Sequence, residues 1–395
     1  MTEQPSLRAV SAADRAGLLT ALRGALASGA PLLVVAEGQD PGAALEGLDE
    51  LPPGTALVIR TSGSSGIPKA VALAAGALVA SAEATHERFG GPGQWLVTLP
   101  TQLISGVQML VRGIVAGTEP VYLDGAGGFE PAAFFSAAET LSHERRYVSL
   151  VPLQLTRLMD FAAAAPEGDR EALESLLRRF DAILVGGQEV SLALRSRSDK
   201  LGLALRRSYG MTESAGGCVY DGVEIGDTLV RIRGGEVQLA GPTLALGYVG
   251  DPALTADRFF DEAGTRWYRT GDAGALLGGM LTVTGRLDRV IVSGGVNVSL
   301  DEIERVAGEQ PGWAGVIAVG VADPEWGERP LLVRAEGASV DGFEEPAPFS
   351  EVREAVRKAL GVAAAPDREV VLDELPQLAG GKPDRAAIRA HLDRG

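Results

Sequence analysis

The chain has 395 residues, 46% hydrophobic and 22% charged, enough to build ordinary buried cores in two or more domains. Its formal charge of −16 argues against broad electrostatic binding of nucleic acid or of an anionic membrane. The single cysteine, Cys218, excludes an intramolecular disulfide and a cysteine-cluster metal site, and His86, His143 and His391 lie too far apart in sequence to suggest a zinc motif.

Four of the 36 basic residues are lysines, Lys69, Lys200, Lys358 and Lys382, so each one is worth locating. Acidic Glu3 and Asp14 stand near the start without an apolar run, and no signal peptide is read there. The uncharged stretch 89–111 is broken by Pro, Gly, Gln, Thr and Ser and is not read as a membrane span. A cytoplasmic protein is expected.

Leucines at 18, 19, 22 and 26 predict a helix over 12–28, and 31–36 reads as a strand. Residues 55–60 form a short apolar run, a buried strand, followed by the loop 61–69 and then a small-residue stretch 70–89 of helical character. Strands at 94–100, 119–124, 147–151 and 181–185 then alternate with helices at 104–116, 131–141, 153–165 and 171–179. That alternation implies a largely parallel α/β sheet up to about residue 215. From 219 to 292 short strands predominate (236–240, 280–284, 289–292), separated by Gly, Pro and Asp turns, and read as a small antiparallel sheet or barrel. Helices at 300–308 and 349–360, strands at 315–321, 330–334 and 369–372, and a terminal helix make a compact α+β unit. The expected organisation is an N-terminal domain over 1–287, with its β-rich part at about 219–287, and a C-terminal domain over 288–395.

Within this frame six segments carry chemistry. Thr61, Ser62, Gly63, Ser64, Ser65, Gly66 and Lys69 have the composition of a phosphate cradle: glycines let backbone N–H groups face an anion, hydroxyls add donors, and lysine adds a mobile charge. It is not a Walker A motif, since G-x-x-x-x-G-K-[ST] is absent, and a Gly/Ser-rich surface turn accounts for it equally well. Gly186, Gly187 and Gln188 end a strand where a flat base could lie, or where the chain merely turns. In Ser208–Ser214, Tyr209 offers a stacking face, Thr212 a hydroxyl for phosphate and Glu213 a hard oxygen suited to Mg²⁺, while a capped amphipathic turn is the plainer reading. Asp272 follows a glycine turn and could accept both hydroxyls of a ribose, although taken alone the five residues read first as a hairpin turn. Arg286 and Asp288 stand at the domain junction, ahead of Gly294 and Gly295 and an acidic helix start. Lys382 sits in a glycine loop before the last helix.

Taken together and in this order, these segments resemble the adenylate-forming superfamily of acyl-CoA synthetases, adenylation domains and luciferases, over about residues 55–390. Among its subfamilies, the short length and the segments 99–106, 107–117 and 147–157 look like the short-form o-succinylbenzoate–CoA ligases of menaquinone synthesis. The resemblance implies a large α/β domain with a β-barrel-like part, a small mobile C-terminal α+β domain, and ATP, Mg²⁺ and CoA as reactants. A carboxylic acid, o-succinylbenzoate by preference, would be activated as an acyl-adenylate and passed to CoA.

By position, Thr61 to Lys69 would hold the outer phosphates, Thr212 the α-phosphate and Glu213 the metal. Gly186, Gly187, Gln188 and Tyr209 would border adenine, and Asp272 the ribose with Arg286 nearby. Lys382 would bridge the carboxylate and the α-phosphate, Asp288 would be the hinge, and Gly294 and Gly295 would line the pantetheine channel. Gln102, Leu103 and Gly106 would lie at the acyl pocket, where relatives usually have a histidine; Gln102 donates a hydrogen bond but carries no charge. Ala70 and Leu300 also depart from the pattern. Other aryl or fatty acyl-CoA ligases, a stand-alone adenylation enzyme and a catalytically weakened adenylate-binding relative remain as alternatives, a homodimer stays open, and a hydrolase using the Gly-Ser-Ser-Gly loop explains none of the later segments.

Overall fold

The computed structural model describes residues 6–28, 30–48, 50–61, 69–124, 128–336, 346–377 and 383–392. Ser62, Gly63, Ser64, Ser65 and Gly66 of the cradle and Lys382 lie outside the described residues. The chain divides into two compact units. One comprises residues 1–190, 194–231 and 238–269, the other 191–193, 232–237 and 270–395, so the division falls inside the strand Thr265–Leu277.

The α/β part of the first unit holds two sheets rather than one. Strands Arg8–Ser11, Leu32–Val35 and Thr55–Thr61 run parallel, and Lys69–Ala74 returns antiparallel to Thr55–Thr61 before pairing with Gly247–Tyr248. The expected helix over 70–89 is therefore corrected: its first residues form the Lys69–Ala74 strand, and only Ala75–Arg88 is helical. Ala70-Val-Ala-Leu-Ala-Ala has no strong local preference, and burial of Ala70, Val71, Ala72 and Leu73 beside Ile59 and Val58 decides for strand.

The second sheet has seven strands. Gln94–Val97, Val121–Tyr122, Arg146–Leu150, Ala182–Gly186 and Leu205–Met211 are parallel, and Gly216–Tyr220 and Val223–Glu224 extend the edge antiparallel. Helices Pro131–Glu139, Pro152–Ala164 and Glu167–Arg178 bury Phe134, Leu155, Leu158 and Leu177 against Leu96, Val148, Ile183 and Val185. Helix Ile104–Ala116 is buried almost all round, from Ile104 to Gly113 with only Ser105 exposed, so it is an interior helix and not a surface one.

The β-rich region forms a five-stranded sheet in the order Leu229–Arg233, Glu236–Ala240, Thr265–Leu277, Phe259–Glu262, with Met280–Arg286 also on Thr265–Leu277. In the second unit, strands Val290–Ser293, Val296–Ser299, Ile317–Asp323, Gly327–Ala335 and Glu369–Leu372 form another sheet. Its period-two alternation separates two cores. Ala318 and Leu332 face helices Leu300–Gly308 and Phe349–Leu360, with Trp313, Val352 and Val356, whereas Ile317, Val319, Leu331 and Val333 face Ile388 of the terminal helix Arg385–Leu392.

A buried polar cluster lies beside the interior helix. Arg112, 2% exposed, stacks on the Trp95 ring and donates to the Tyr220 hydroxyl at 3.3 Å, and Thr85 Oγ1 stands 2.9 Å from the same oxygen. His86, also buried, has no partner at Nε2 among the described residues. Burial first, and the Arg112 charge second, pull its pKa down to about 4. Between that value and the ordinary 6.5, the unfolded chain binds a proton at His86 that the folded chain does not. Stability should therefore fall as pH drops from about 6.5 towards 4, by about 3 kcal/mol in all, and level off below. Urea unfolding at stepped pH checks this; His86→Leu should flatten that segment.

Candidate functional site

In a parallel sheet every strand ends on the same edge, and the loops beyond those ends gather there. Gly186 is paired with Ser208, so Gly187 and Gln188 leave one strand beside the point where Tyr209 to Glu213 leave the next. The loop holding Thr101, Gln102 and Leu103 follows Gln94–Val97 at the same edge and leads into the interior helix. The structure thus brings Gly186, Gly187, Gln188, Tyr209, Thr212, Glu213, Gln102 and Leu103 to one edge of one sheet.

The Tyr209–Glu213 segment has little freedom. Tyr209 to Met211 end the strand Leu205–Met211, and Thr212–Ser214 forms a single tight turn directly after it. Ser214 Oγ accepts from Met211 N at 3.0 Å and donates to the Gly216 carbonyl at 2.8 Å. Ala215 adopts a left-handed φ of 52°, and its carbonyl accepts from Gln108 Nε2 at 2.7 Å, which ties the turn to the interior helix. Close backbone approach requires glycine at 210, and the Ser208 and Tyr220 side chains crowd the position at 217. A methyl group on Gly210 would stand 2.1 Å from the Gly216 carbonyl oxygen, and one on Gly217 2.3 Å from Ser208 Oγ.

Thr61 and Lys69 face each other across the antiparallel pair, with Thr61 Oγ1 3.5 Å from the Lys69 carbonyl. The ends of the cradle therefore belong to neighbouring strands, not to a strand and a helix. Lys69 Nζ lies 5.7 Å from the centre of the Tyr248 ring, and the Tyr248 hydroxyl donates to Glu213 Oε1 at 2.9 Å. The Tyr268 hydroxyl is 3.5 Å from that of Tyr248. Burial, and then the Glu213 charge, raise the pKa of both phenols well above the ordinary value, so both are neutral donors. Tyr248 was not legible as a site residue in the sequence: it lies 35 residues from Glu213 and outside every motif.

Among the described residues no cluster of three or more His, Cys, Asp or Glu side chains could hold a metal. A half-buried Glu213 suits Mg²⁺, which takes one or two carboxylates and completes its shell with water and substrate phosphates.

In the second unit, buried Asp272 receives Arg286 Nη1 at 3.0 Å, and the same guanidinium grips Asp288 at 3.1 and 3.2 Å. Burial alone would lower the pKa of Arg286, but its bonds to Asp288 and Asp272 outweigh burial and raise it. Gly294 and Gly295 form the left-handed turn between Val290–Ser293 and Val296–Ser299, at φ of 56° and 80°. A methyl on Gly294 would press on the Trp326 ring at 2.7 Å. On either side of 378–382, Gln377 and Pro383 pair, and Asp384 N donates to the Pro376 carbonyl at 2.8 Å.

Residues 28–237 match the model of the AMP-binding enzyme family, and residues 302–382 that of the AMP-binding enzyme C-terminal domain. A probable 2-succinylbenzoate–CoA ligase of Mycobacterium tuberculosis is 36% identical over 377 residues, 94% of each chain. The o-succinylbenzoate CoA synthetase of Bacillus subtilis, solved with its acyl-adenylate intermediate, shares the fold at a TM-score of 0.78 and 22% identity, over 98% of this chain and 88% of that one. The same synthetase solved with ATP and a magnesium ion aligns at 0.70 and 23%, over 91% and 75%. Among the described residues no helix is long and apolar enough to cross a membrane.

Gly210→Ala should force the two strands apart and cost about 1–3 kcal/mol of stability, read from the urea midpoint. Gly24, in the helix Arg15–Ser28, whose added methyl would meet nothing within 4 Å and whose φ is ordinary, is the reference site.

Proposed function

The chain belongs to the AMP-binding enzyme family as an AMP-forming acid–thiol ligase, and we propose that it joins 2-succinylbenzoate to CoA in the cytoplasm at the cost of ATP. The single observation that carries the choice of acid is the match to a probable 2-succinylbenzoate–CoA ligase along 94% of both chains. The site geometry is consistent with the chemistry, because strand ends, hydroxyls and one carboxylate converge where a nucleotide would lie.

In this reading a carboxylate oxygen of the acid attacks the α-phosphorus of ATP. The α–β phosphoanhydride bond breaks, and pyrophosphate leaves. The thiol sulfur of CoA then attacks the acyl carbon, the acyl–phosphate bond breaks, and AMP leaves. The first step asks the protein for charge placement rather than covalent help. Thr212 would donate to the α-phosphate, and Ser62, Gly63, Ser64, Ser65, Gly66 and Lys69 would hold the phosphates that depart. Glu213 would ligate Mg²⁺, which neutralises phosphate charge when bound.

Tyr209 would stack on adenine against Gly186, Gly187 and Gln188. Asp272 would accept the ribose hydroxyls, held in place by Arg286. Lys382 would bridge the attacking oxygen and the α-phosphate, and rotation about Asp288 would replace it with the Gly294–Gly295 turn for the thiol step. Gln102, Leu103 and Gly106 would border the acid.

Lys382→Ala should lower pyrophosphate release by on the order of 10²–10³ while leaving thioester formation from supplied acyl-adenylate intact. Equal loss of both half-reactions would remove Lys382 from the first. Pyrophosphate release across a panel of acids, with and without CoA, checks the substrate: a benzoate or a fatty acid that outruns 2-succinylbenzoate would displace it.

A further inference from the structure

Tyr248 stands between two of the charged groups proposed to hold the nucleotide, Lys69 and Glu213. Its ring lies under the Lys69 ammonium and its hydroxyl donates to Glu213, so one neutral side chain contacts the cation on its face and the anion at its tip. Among the described residues Lys69 forms no ion pair. Without the phenol between them, a lysine and a glutamate converging on one site would pair with each other and be drawn away from a ligand.

The surrounding structure fixes Tyr248 rather than letting it drift. Tyr248 is paired with Val71, two residues beyond Lys69, and Val249 N donates to the Ala70 carbonyl at 2.8 Å. Its own N–H donates to Thr255 Oγ1 at 2.9 Å. Arg266 grips the Ala245 and Leu246 carbonyls at 2.7 and 2.8 Å. Ala245 N in turn donates to the Glu213 carbonyl at 2.8 Å, so the backbones that carry the phenol and the carboxylate are themselves joined. Tyr248 is only 5% exposed and its hydroxyl has Tyr268 as second neighbour, a degree of constraint a mere packing residue does not need.

We propose that Tyr248 is a positioning residue for the ligase reaction: it orients the Glu213 carboxylate towards Mg²⁺·ATP and keeps Lys69 from pairing with it. This rests on the reading of Glu213 as the metal ligand, and the experiment separates the two. Tyr248→Phe keeps the ring under Lys69 and removes only the hydroxyl. Its Mg²⁺ concentration for half-maximal pyrophosphate release should rise about tenfold, the scale of a hydrogen bond to a charged group, with kcat at saturating Mg²⁺ retained. Calorimetry supplies a readout besides activity: ATP should bind Tyr248→Phe more weakly in Mg²⁺ and equally well in EDTA.

Glu213→Gln, measured in parallel, should show the larger loss of Mg²⁺ dependence. A Glu213→Gln enzyme with unchanged Mg²⁺ response would remove the metal reading and this proposal with it. A shift in Glu213→Gln but none in Tyr248→Phe would overturn the role of Tyr248 alone. So would an equal loss of ATP affinity with and without Mg²⁺, the mark of a purely structural residue. Should Tyr248→Phe fail to fold because the Tyr268 hydroxyl is orphaned, the double variant Tyr248→Phe/Tyr268→Phe removes both hydroxyls and carries the same expectations.

Discussion

Everything at this edge of the seven-stranded sheet depends on register. Gly186 stands beside Ser208 because Ala182–Gly186 and Leu205–Met211 are parallel and in step from Ile183 with Leu205 onward. A slip of one residue would turn Tyr209 to the other face and separate it from Gly187. On its other side Leu205–Met211 meets Gly216–Tyr220 closely: Gly210 and Gly217 lie against the Gly216 carbonyl and Ser208, and Ser214 closes the turn between the two strands from within. Gln108 then fastens that turn to a helix that is itself interior. Rigid elements, rather than a long loop, therefore present Thr212 and Glu213, as a site acting by charge placement requires.

The second unit relies on a different constraint, one carboxylate shared by two arginines. Glu304 receives Arg289 at 2.7 Å and Arg385 at 2.6 Å, and also accepts the Ala318 N–H at 2.8 Å. Arg289 further pairs with Asp301 at 2.7 Å, and Asp301 accepts the Arg286 N–H at 2.6 Å. The segment just after Asp288 and the start of the terminal helix, three residues past Lys382, thus converge on the same anion. A half-buried network of this kind holds its parts together because any single removal leaves a charge without its partner. The unit bearing the Gly294–Gly295 turn and the ends of the 378–382 loop is braced as one body.

How much of this was legible in the sequence depended on the distance over which each signal acts. Helix Ile104–Ala116 and the terminal α+β unit could be read because their apolar spacing is local and strong. The Lys69–Ala74 strand could not: alanine-rich residues suit helix and strand alike, and the partner that decides, Thr55–Thr61, acts through pairing across the cradle. Gly186, Gly187, Tyr209, Thr212 and Glu213 stand out in the sequence because turn chemistry and reactive side chains coincide there, and the structure brings them to one sheet edge. Tyr248 was not, since its meaning arises only when three segments far apart in sequence meet. A lone Gly-Tyr carries no local signal of that.

An acidic chain that must hold a polyphosphate has a problem its composition alone states: with a formal charge of −16, any lysine near the site has carboxylates to pair with before substrate arrives. Placing a tyrosine between Lys69 and Glu213 answers it without another charge. A phenol whose pKa is raised by burial stays neutral, so it adds no repulsion to phosphate, while its O–H lets it bind the carboxylate that an apolar ring could not orient. Phenylalanine at this position would separate the charges but leave the carboxylate unaimed, and histidine would bring a second titrating charge into the site. Tyrosine combines in one side chain an aromatic face for the ammonium and a neutral donor for the glutamate.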